Sequence, residues 1–279
     1  MMFKGRTLLI ATKHNKEKVI GPLFEDELGV KCIVPLDFDT DKLGTFTGEI
    51  ERKEDPITTA RNKCLMAMEL TGFDMAIASE GSFGAHPSYF FVSADDEFLL
   101  FLDKKNGLEI ITRELSTETN FNGGEIKSEK ELRDFANTAE FPSHGLIIRK
   151  KKDDYSEIIK DITDWPTLLK TYRHFSKKEG LAYIETDMRA MFNPTRMKVI
   201  EKATQKLVEK IKSCCPKCST PGFGITDAKT GLPCELCNFP TRSTLSYIYV
   251  CQKCSFSKEE KYPKGKKKEN PMYCDICNP

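Results

Sequence analysis

The sequence has a single tryptophan, four histidines and a formal net charge of only +1. That near-neutral balance gives no global electrostatic reason to expect nucleic acid or an anionic membrane as partner. No apolar run approaches the roughly 20 residues of a bilayer-spanning helix, so a membrane protein is not expected. A Walker-type glycine loop is missing, which excludes a P-loop nucleotide site. Nothing at the start reads as a secretion signal: Met1 to Asn15 holds one short apolar run, Thr7 to Ala11, with lysines close on both sides. A cytoplasmic location is therefore expected. Internal repeats and low-complexity linkers are lacking too. What remains, 39% hydrophobic and 30% charged residues, describes a globular chain long enough for one large domain and a small one.

Cysteine is the exception to this sparseness. Nine of eleven lie in the last 66 residues, and eight of them form the C-x-x-C pairs Cys215/Cys218, Cys234/Cys237, Cys251/Cys254 and Cys274/Cys277. A C-x-x-C turn aims two thiolates at one ion, and two turns supply the four soft ligands of a closed tetrahedral zinc site. Eight ligands predict two structural Zn²⁺. Disulfides would need an oxidising compartment, and a thioredoxin-like redox site would be one pair beside a βαβ unit. An iron–sulfur cluster would use the same thiolates, but four dispersed knuckles fit zinc better. Adjacent pairing, first with second and third with fourth, is the favoured expectation. First with third competes, because Leu245–Val250 runs as a strand into the third pair and Phe256–Tyr262 can run out of it. From Ser213 to Pro279 there are ten Lys/Arg against six Asp/Glu. Eight thiolates on two Zn²⁺ offset that +4, so the metallated tail is near neutral, which disfavours nucleic acid as a partner. The cluster Lys264-x-Lys266-Lys267-Lys268 reads as a solvated basic loop.

Residues 1–212 are expected to form one mixed-sheet α/β domain, and 213–279 a small two-zinc, ribbon-like domain. Thr7–Ala11 reads as a buried strand, Lys16–Leu28 as a helix and Lys31–Leu36 as a second strand. Asp55-Pro56 signals the start of a helix with Ile57, Ala60, Cys64, Leu65 and Met68 on its apolar face. Met75–Ala78 reads as a short strand entering a sharp turn at Ser79-Glu-Gly-Ser. Tyr89–Val92, Glu97–Asp103 and Leu108–Glu114 read as antiparallel strands, the last two joined at Asn106-Gly107. Ser128 with Glu131 makes a capping box, Gly145–Arg149 a strand, and Lys160–Lys177 and Thr195–Lys212 helices.

Chemistry in this domain is sought at strand ends. Ala11-Thr-Lys-His-Asn-Lys-Glu-Lys18 sits at a strand-to-helix turn, where free backbone N–H groups and lysines suit an anion. Glu54 precedes a helix and Glu80 follows a buried strand, so two carboxylates with lysines can hold Mg²⁺ against phosphate. The plainer alternative makes Glu49, Glu51, Glu54 and Asp55 surface charge and Glu80 a turn cap. Arg189 and Arg196 either clamp a phosphate or carboxylate, or bind carboxylates flanking the last helix, which Asn193-Pro194 begins.

Three strings in order (Ala11-Thr12…Asn15-x-x-Lys18, Glu54-x-x-x-Thr58-x-x-x-Asn62…Ala67, and Ser79-Glu80-Gly81) resemble the inosine-triphosphate pyrophosphatase and Maf superfamily. Lys63 and Met66 stand where that family has alanine and lysine. The resemblance implies an inosine-triphosphatase-like fold and a nucleotide or phosphorylated small molecule as substrate. It also implies Mg²⁺-dependent release of pyrophosphate or phosphate. Lys18 would contact phosphate, Glu54 would ligate Mg²⁺, and Glu80 would ligate metal or activate water. Thr12, Asn15, Asn62 and Lys63 are expected to contact substrate, joined, independently of the resemblance, by Arg189 and Arg196 on the reading in which these clamp a phosphate. Separately, Glu185-Thr-Asp-Met-Arg-Ala190, Asn193-Pro-Thr-Arg-Met197 and the cysteine tail resemble an uncharacterised bacterial family, which implies no activity. A zinc-bearing interaction protein without chemistry is the alternative.

Overall fold

The structure, a computed structural model, describes residues 2–36, 38 and 54–279, which divide into two compact units, Met1–Val208 and Glu209–Pro279. Glu49 and Glu51 lie outside the described residues. In the first unit, Thr7–Ile10 (β1) pairs in parallel with Lys31–Ile33 (β2) on one side and Met75–Ala85 (β3) on the other. Parallel neighbours need a crossover, and Glu17–Leu28 (α1) and Pro56–Thr71 (α2) provide the helices. The sheet then turns antiparallel through Ser93–Asp103 (β4) and Leu108–Ser116 (β5), giving the order β2-β1-β3-β4-β5. Asn106-Gly107 makes the expected turn between β4 and β5, with Gly107 at φ 62°.

α2 starts where its cap dictates. The Asp55 carboxylate accepts the N–H groups of Ile57 at 2.9 Å and Thr58 at 3.0 Å, and Pro56 takes the first helical position. Its small buried residues Ala60, Cys64 and Ala67 recur at helical spacing, letting the helix pack closely on Leu9, Ala76, Ala78 and Leu100. On another surface of the sheet Phe101 stacks on Phe24 of α1 and meets the edge of Phe3. Each such fully buried ring contributes roughly 1.5–3 kcal/mol.

The expected single sheet over 1–212 is in fact two. Gly123–Ile126 (β6), Leu146–Arg149 (β7), Ile158–Ile162 (β8) and Ala182–Thr186 (β9) form an antiparallel sheet in the order β6-β9-β7-β8. Glu129–Thr138 (α3) and Trp165–Glu179 (α4) cover it, with Leu132, Ala136, Leu168, Tyr172 and Phe175 against Ile126, Leu146, Ile148, Ile162 and Ile184. Pro194–Lys212 (α5) follows.

Three element expectations change. Ser79–Gly84 is continuous strand within β3, because β4 carries the ladder on through Ser79↔Leu99 to Gly84↔Ala94. Tyr89–Val92 is instead part of the turn that joins these two strands. Lys160–Ile162 belongs to β8, since the Asp164 side chain caps Thr167 N at 2.8 Å and the helix begins only at Trp165.

In the second unit Ile225–Thr230 (β10), Thr244–Val250 (β11) and Ser257–Lys261 (β12) form an antiparallel sheet in sequence order. Among the described residues no helix is long and apolar enough to cross a membrane.

Candidate functional sites

Each C-x-x-C pair folds as the same knuckle. The N–H of the residue after the second cysteine returns to the carbonyl of the first: Ser219 to Cys215 at 2.8 Å, Asn238 to Cys234 at 3.0 Å, Ser255 to Cys251 at 3.0 Å and Asn278 to Cys274 at 2.9 Å. Ser219, Asn238 and Ser255 take positive φ to close the turn. A serine or asparagine stands at this position in all four knuckles, and Asn is among the residues that tolerate the left-handed region. That recurring residue is a sequence signal the C-x-x-C count alone misses.

The knuckles meet first with third and second with fourth, correcting the favoured adjacent pairing. Cys215, Cys218, Cys251 and Cys254 form one quartet and Cys234, Cys237, Cys274 and Cys277 the other, each with its sulfurs within 4.8 Å of one another. The cause is the sheet. β11 delivers Cys251 at its end and β12 leads away from Cys254, while Cys215, Cys251 and Phe223 share a small core with Tyr249 and Phe256. Sγ–Sγ separations are 3.7 Å for Cys215–Cys254, 3.6 Å for Cys218–Cys251, 3.9 Å for Cys234–Cys277 and 3.6 Å for Cys237–Cys274. A tetrahedron with 2.3 Å Zn–S bonds has an edge of about 3.8 Å, whereas a disulfide needs about 2.05 Å. These are single-ion cages that could each hold zinc. The Thr220 hydroxyl and N–H pull the Cys218 thiol down to about 6, so this quartet has a ready thiolate at neutral pH.

The knuckle tips differ. Lys217 and Lys253 stand exposed at the first quartet, while Leu236 and Ile276 occupy the same positions at the second, 73% and 59% exposed. Phe239, Met272 and Tyr273, next to the same knuckles, are exposed as well.

Over residues 63–279 the chain matches the family model described as a domain of unknown function, DUF6671. The chain belongs to that family. A comparison with curated proteins finds no match. The DUF6671 match takes in both quartets, β3 to β5 and the second sheet, and leaves Thr12, Asn15, Lys18, Glu54 and Asn62 outside it.

Within the first unit the residues expected to bind a nucleotide are distributed as follows. Thr12 and Asn15 line an open cavity of about 530 Å³ with Lys13, Glu17 and Phe38. Lys18 is exposed on α1, its backbone N–H bonded to Asn15 O at 3.2 Å. Glu54 is exposed and accepts from Asn62 Nδ2 at 2.6 Å. Glu80 is buried on β3, where it pairs with Lys63 of α2. Neither Glu54 nor Glu80 belongs to any cluster of three or more metal-ligating groups among the described residues.

Both arginines hold this chain's own groups. Arg189 binds Asp187 through Nε at 3.0 Å and Nη2 at 2.5 Å, and Asp161 at 2.5 Å. Arg196, almost fully buried, donates from Nε to Glu97 at 2.6 Å and from Nη1 to Met188 O at 2.6 Å. Its guanidinium also lies 5.1 Å from the centre of the Phe83 ring.

The buried charges around Arg196 were not anticipated. Lys16, not Lys18, is the enclosed lysine of its loop: Nζ donates to Ser79 Oγ at 2.9 Å and Ser79 O at 3.3 Å. Burial, with Arg196 adding, lowers the Lys16 ammonium to about 8. Asp95 is fully buried, and among the described residues neither carboxylate oxygen has a hydrogen-bond partner. Burial, reinforced by Glu97, pushes its carboxyl up to about 8. The available sequence signal was two acids at alternate β4 positions, Asp95 and Glu97, on the face that continues into buried Leu99 and Phe101.

Proposed function

We propose that this DUF6671 chain is a zinc-dependent binding protein, its C-terminal module folded by two structural Zn²⁺ and directed at a protein partner. The convergence of eight sulfurs into two quartets carries the reading. A closed Cys₄ cage keeps no open position for substrate, so the metals stabilise and do not catalyse. The apolar tips of the second quartet supply a surface of the kind protein partners cover. Near-neutral charge on the metallated tail argues against the counterion-release binding that nucleic acids need. Nucleotide hydrolysis has only motif resemblance behind it: Lys18 and Glu54 are exposed, and Glu80 is neutralised by Lys63.

Metal analysis of the full chain tests the reading. Two zinc equivalents are expected, with chelation unfolding the module. One equivalent or none would sink it. Fluorescence anisotropy with single-stranded and duplex oligonucleotides tests the partner class. Tight, salt-dependent binding would move the assignment to nucleic acid.

A further inference from the structure

The turn Ser143-His144-Gly145 faces the start of α5. His144 is 2% exposed. Its Nε2 lies 3.0 Å from Thr195 Oγ1 and accepts the Thr195 backbone N–H at 3.3 Å. Its Nδ1 lies 3.0 Å from Ser143 Oγ and 3.6 Å from Glu140 Oε2. Ser143 Oγ already donates to Glu140 O at 2.6 Å, so it accepts from Nδ1–H. Those partners assign the tautomer, with the proton on Nδ1 and the lone pair on Nε2. The Thr195 hydroxyl is then a donor to that lone pair. Burial holds the imidazole below its ordinary range; Lys198 acts in the same sense and Glu140 against it. A neutral imidazole at neutral pH can take a proton.

Capping a helix would account for the Thr195–His144 contact alone. Two further observations go beyond a cap. Thr195 and Glu140 both line a cavity of about 560 Å³, with Ser93, Glu118, Asn120 and Asn122 on its wall. Glu140 also closes α3 at φ 61°, with Phe141 N returning to Ala136 O at 2.9 Å. Glycine takes that left-handed position with less strain, so what glutamate supplies there is its side chain.

We propose that Thr195, His144 and Glu140 form a nucleophilic acyl-transfer site for a small neutral or cationic carboxylic ester. The ionic groups lining the cavity are Glu118, which Lys202 pairs at 2.9 Å, and Glu140; no cationic side chain lines the described wall, which disfavours an anionic ester. Thr195 Oγ attacks the ester carbonyl and its proton passes to His144 Nε2, with the Glu140 carboxylate stabilising the imidazolium. Once protonated, Nε2 no longer accepts the Thr195 N–H, and this donor becomes available to the oxyanion forming beside it. The ester C–O bond breaks, and His144 returns the proton to the leaving alkoxide. Water then attacks the acyl-threonine, giving its proton to His144, and the carboxylic acid leaves as Thr195 recovers its proton. Ester plus water gives acid plus alcohol, with no redox change.

The test is hydrolysis of p-nitrophenyl acetate by the full zinc-loaded chain, with peptide mass mapping during turnover. Acetyl is expected on Thr195. Thr195→Val should lose at least roughly 100-fold in rate, the scale of a missing nucleophile. Glu140→Gly should fall about tenfold or more while its melting temperature stays level or rises, since left-handed strain is relieved. This second variant changes an exposed carboxylate, so it decides the matter even if Thr195→Val does not fold. No acetyl on Thr195, a Thr195→Val rate equal to the parent's, or an unchanged rate in Glu140→Gly would each overturn the proposal and leave His144 as a cap.

Discussion

Replacing Gly81 by alanine would drive a methyl group into the almost fully enclosed Arg196–Glu97 ion pair. A Cβ built on Gly81 lies inside 3.0 Å of Glu97 Oε1 and Arg196 Nη2, and 2.7 Å from Glu97 Cδ. Neither neighbour has slack. Arg196 is held to Glu97 and to Met188 O, both at 2.6 Å, and the two charged side chains are 1% and 0% exposed. Moving either away leaves a buried charge without its partner, a loss of about 3–5 kcal/mol. In a unit of this size each kcal/mol shifts the melting point by roughly 2–4 °C. Gly81→Ala should therefore melt roughly 6–20 °C below the parent in calorimetry. Gly84→Ala is the matched control: same strand, same substitution, and nothing among the described residues within 4 Å of the added atom. It should stay within about 0.5 kcal/mol, as surface substitutions do. If the two variants melt together, the tight packing of Gly81 against the Glu97–Arg196 pair is refuted.

Cysteine-to-serine pairs read out the knuckle pairing by metal analysis. Cys215→Ser with Cys251→Ser should cost one zinc equivalent, and Cys215→Ser with Cys234→Ser both; the reverse pattern would restore adjacent pairing. Asp95 governs a pH dependence. In the unfolded chain it ionises near pH 4, but in the fold it keeps its proton to about 8, facing Glu97, Asp96, Arg196 and Lys16. The folded state thus binds the extra proton between those values, so stability falls as pH rises through the window and levels above it. Denaturant melts from pH 4 to 9 should show Asp95→Asn with a shallower fall; an identical profile contradicts the assignment. Removing the α2 cap with Asp55→Ala should cost about 1 kcal/mol in the same melts, and no loss would mean that the two N–H bonds to Asp55 contribute nothing.

Local chemistry was the legible part. Asp55-Pro56, Ser128 and Asn106-Gly107 announce two helix starts and a hairpin because each acts within a few residues, although Glu131 accepts the N–H of Lys127 and not that of Ser128 as a capping box would. Cysteine spacing likewise announced the two four-cysteine clusters. Which knuckles meet is a tertiary choice. Joining the first to the third roughly doubles the loop to be closed, at about 0.6 kcal/mol, so loop entropy does not settle it and the strands flanking Cys251 and Cys254 do. β6 begins with Gly123-Gly124, which carry no side-chain alternation, and β9 ends within the Glu185–Ala190 string, so the second sheet left little periodic trace. Gly81 read as a turn because glycine usually is one. Its use here is to let Glu97 and Arg196 lie against β3, a contact across 115 residues of chain for Arg196 that no window of sequence displays.

The interleaved knuckles also fix when the tail can take up metal during synthesis. With adjacent pairing, the first cage would be complete as soon as Cys237 left the ribosome. As built, it waits for Cys254, with Cys234 and Cys237 already enclosed in its loop, and the second waits for Cys277, with Cys251 and Cys254 enclosed in its own. The two loops overlap, so neither ion can leave without slackening the segment that carries half of the other cage. A chain that has filled one cage would therefore hold a second ion more tightly, so zinc shortage should favour chains with both cages filled, while at saturating zinc a single intact cage still takes its ion.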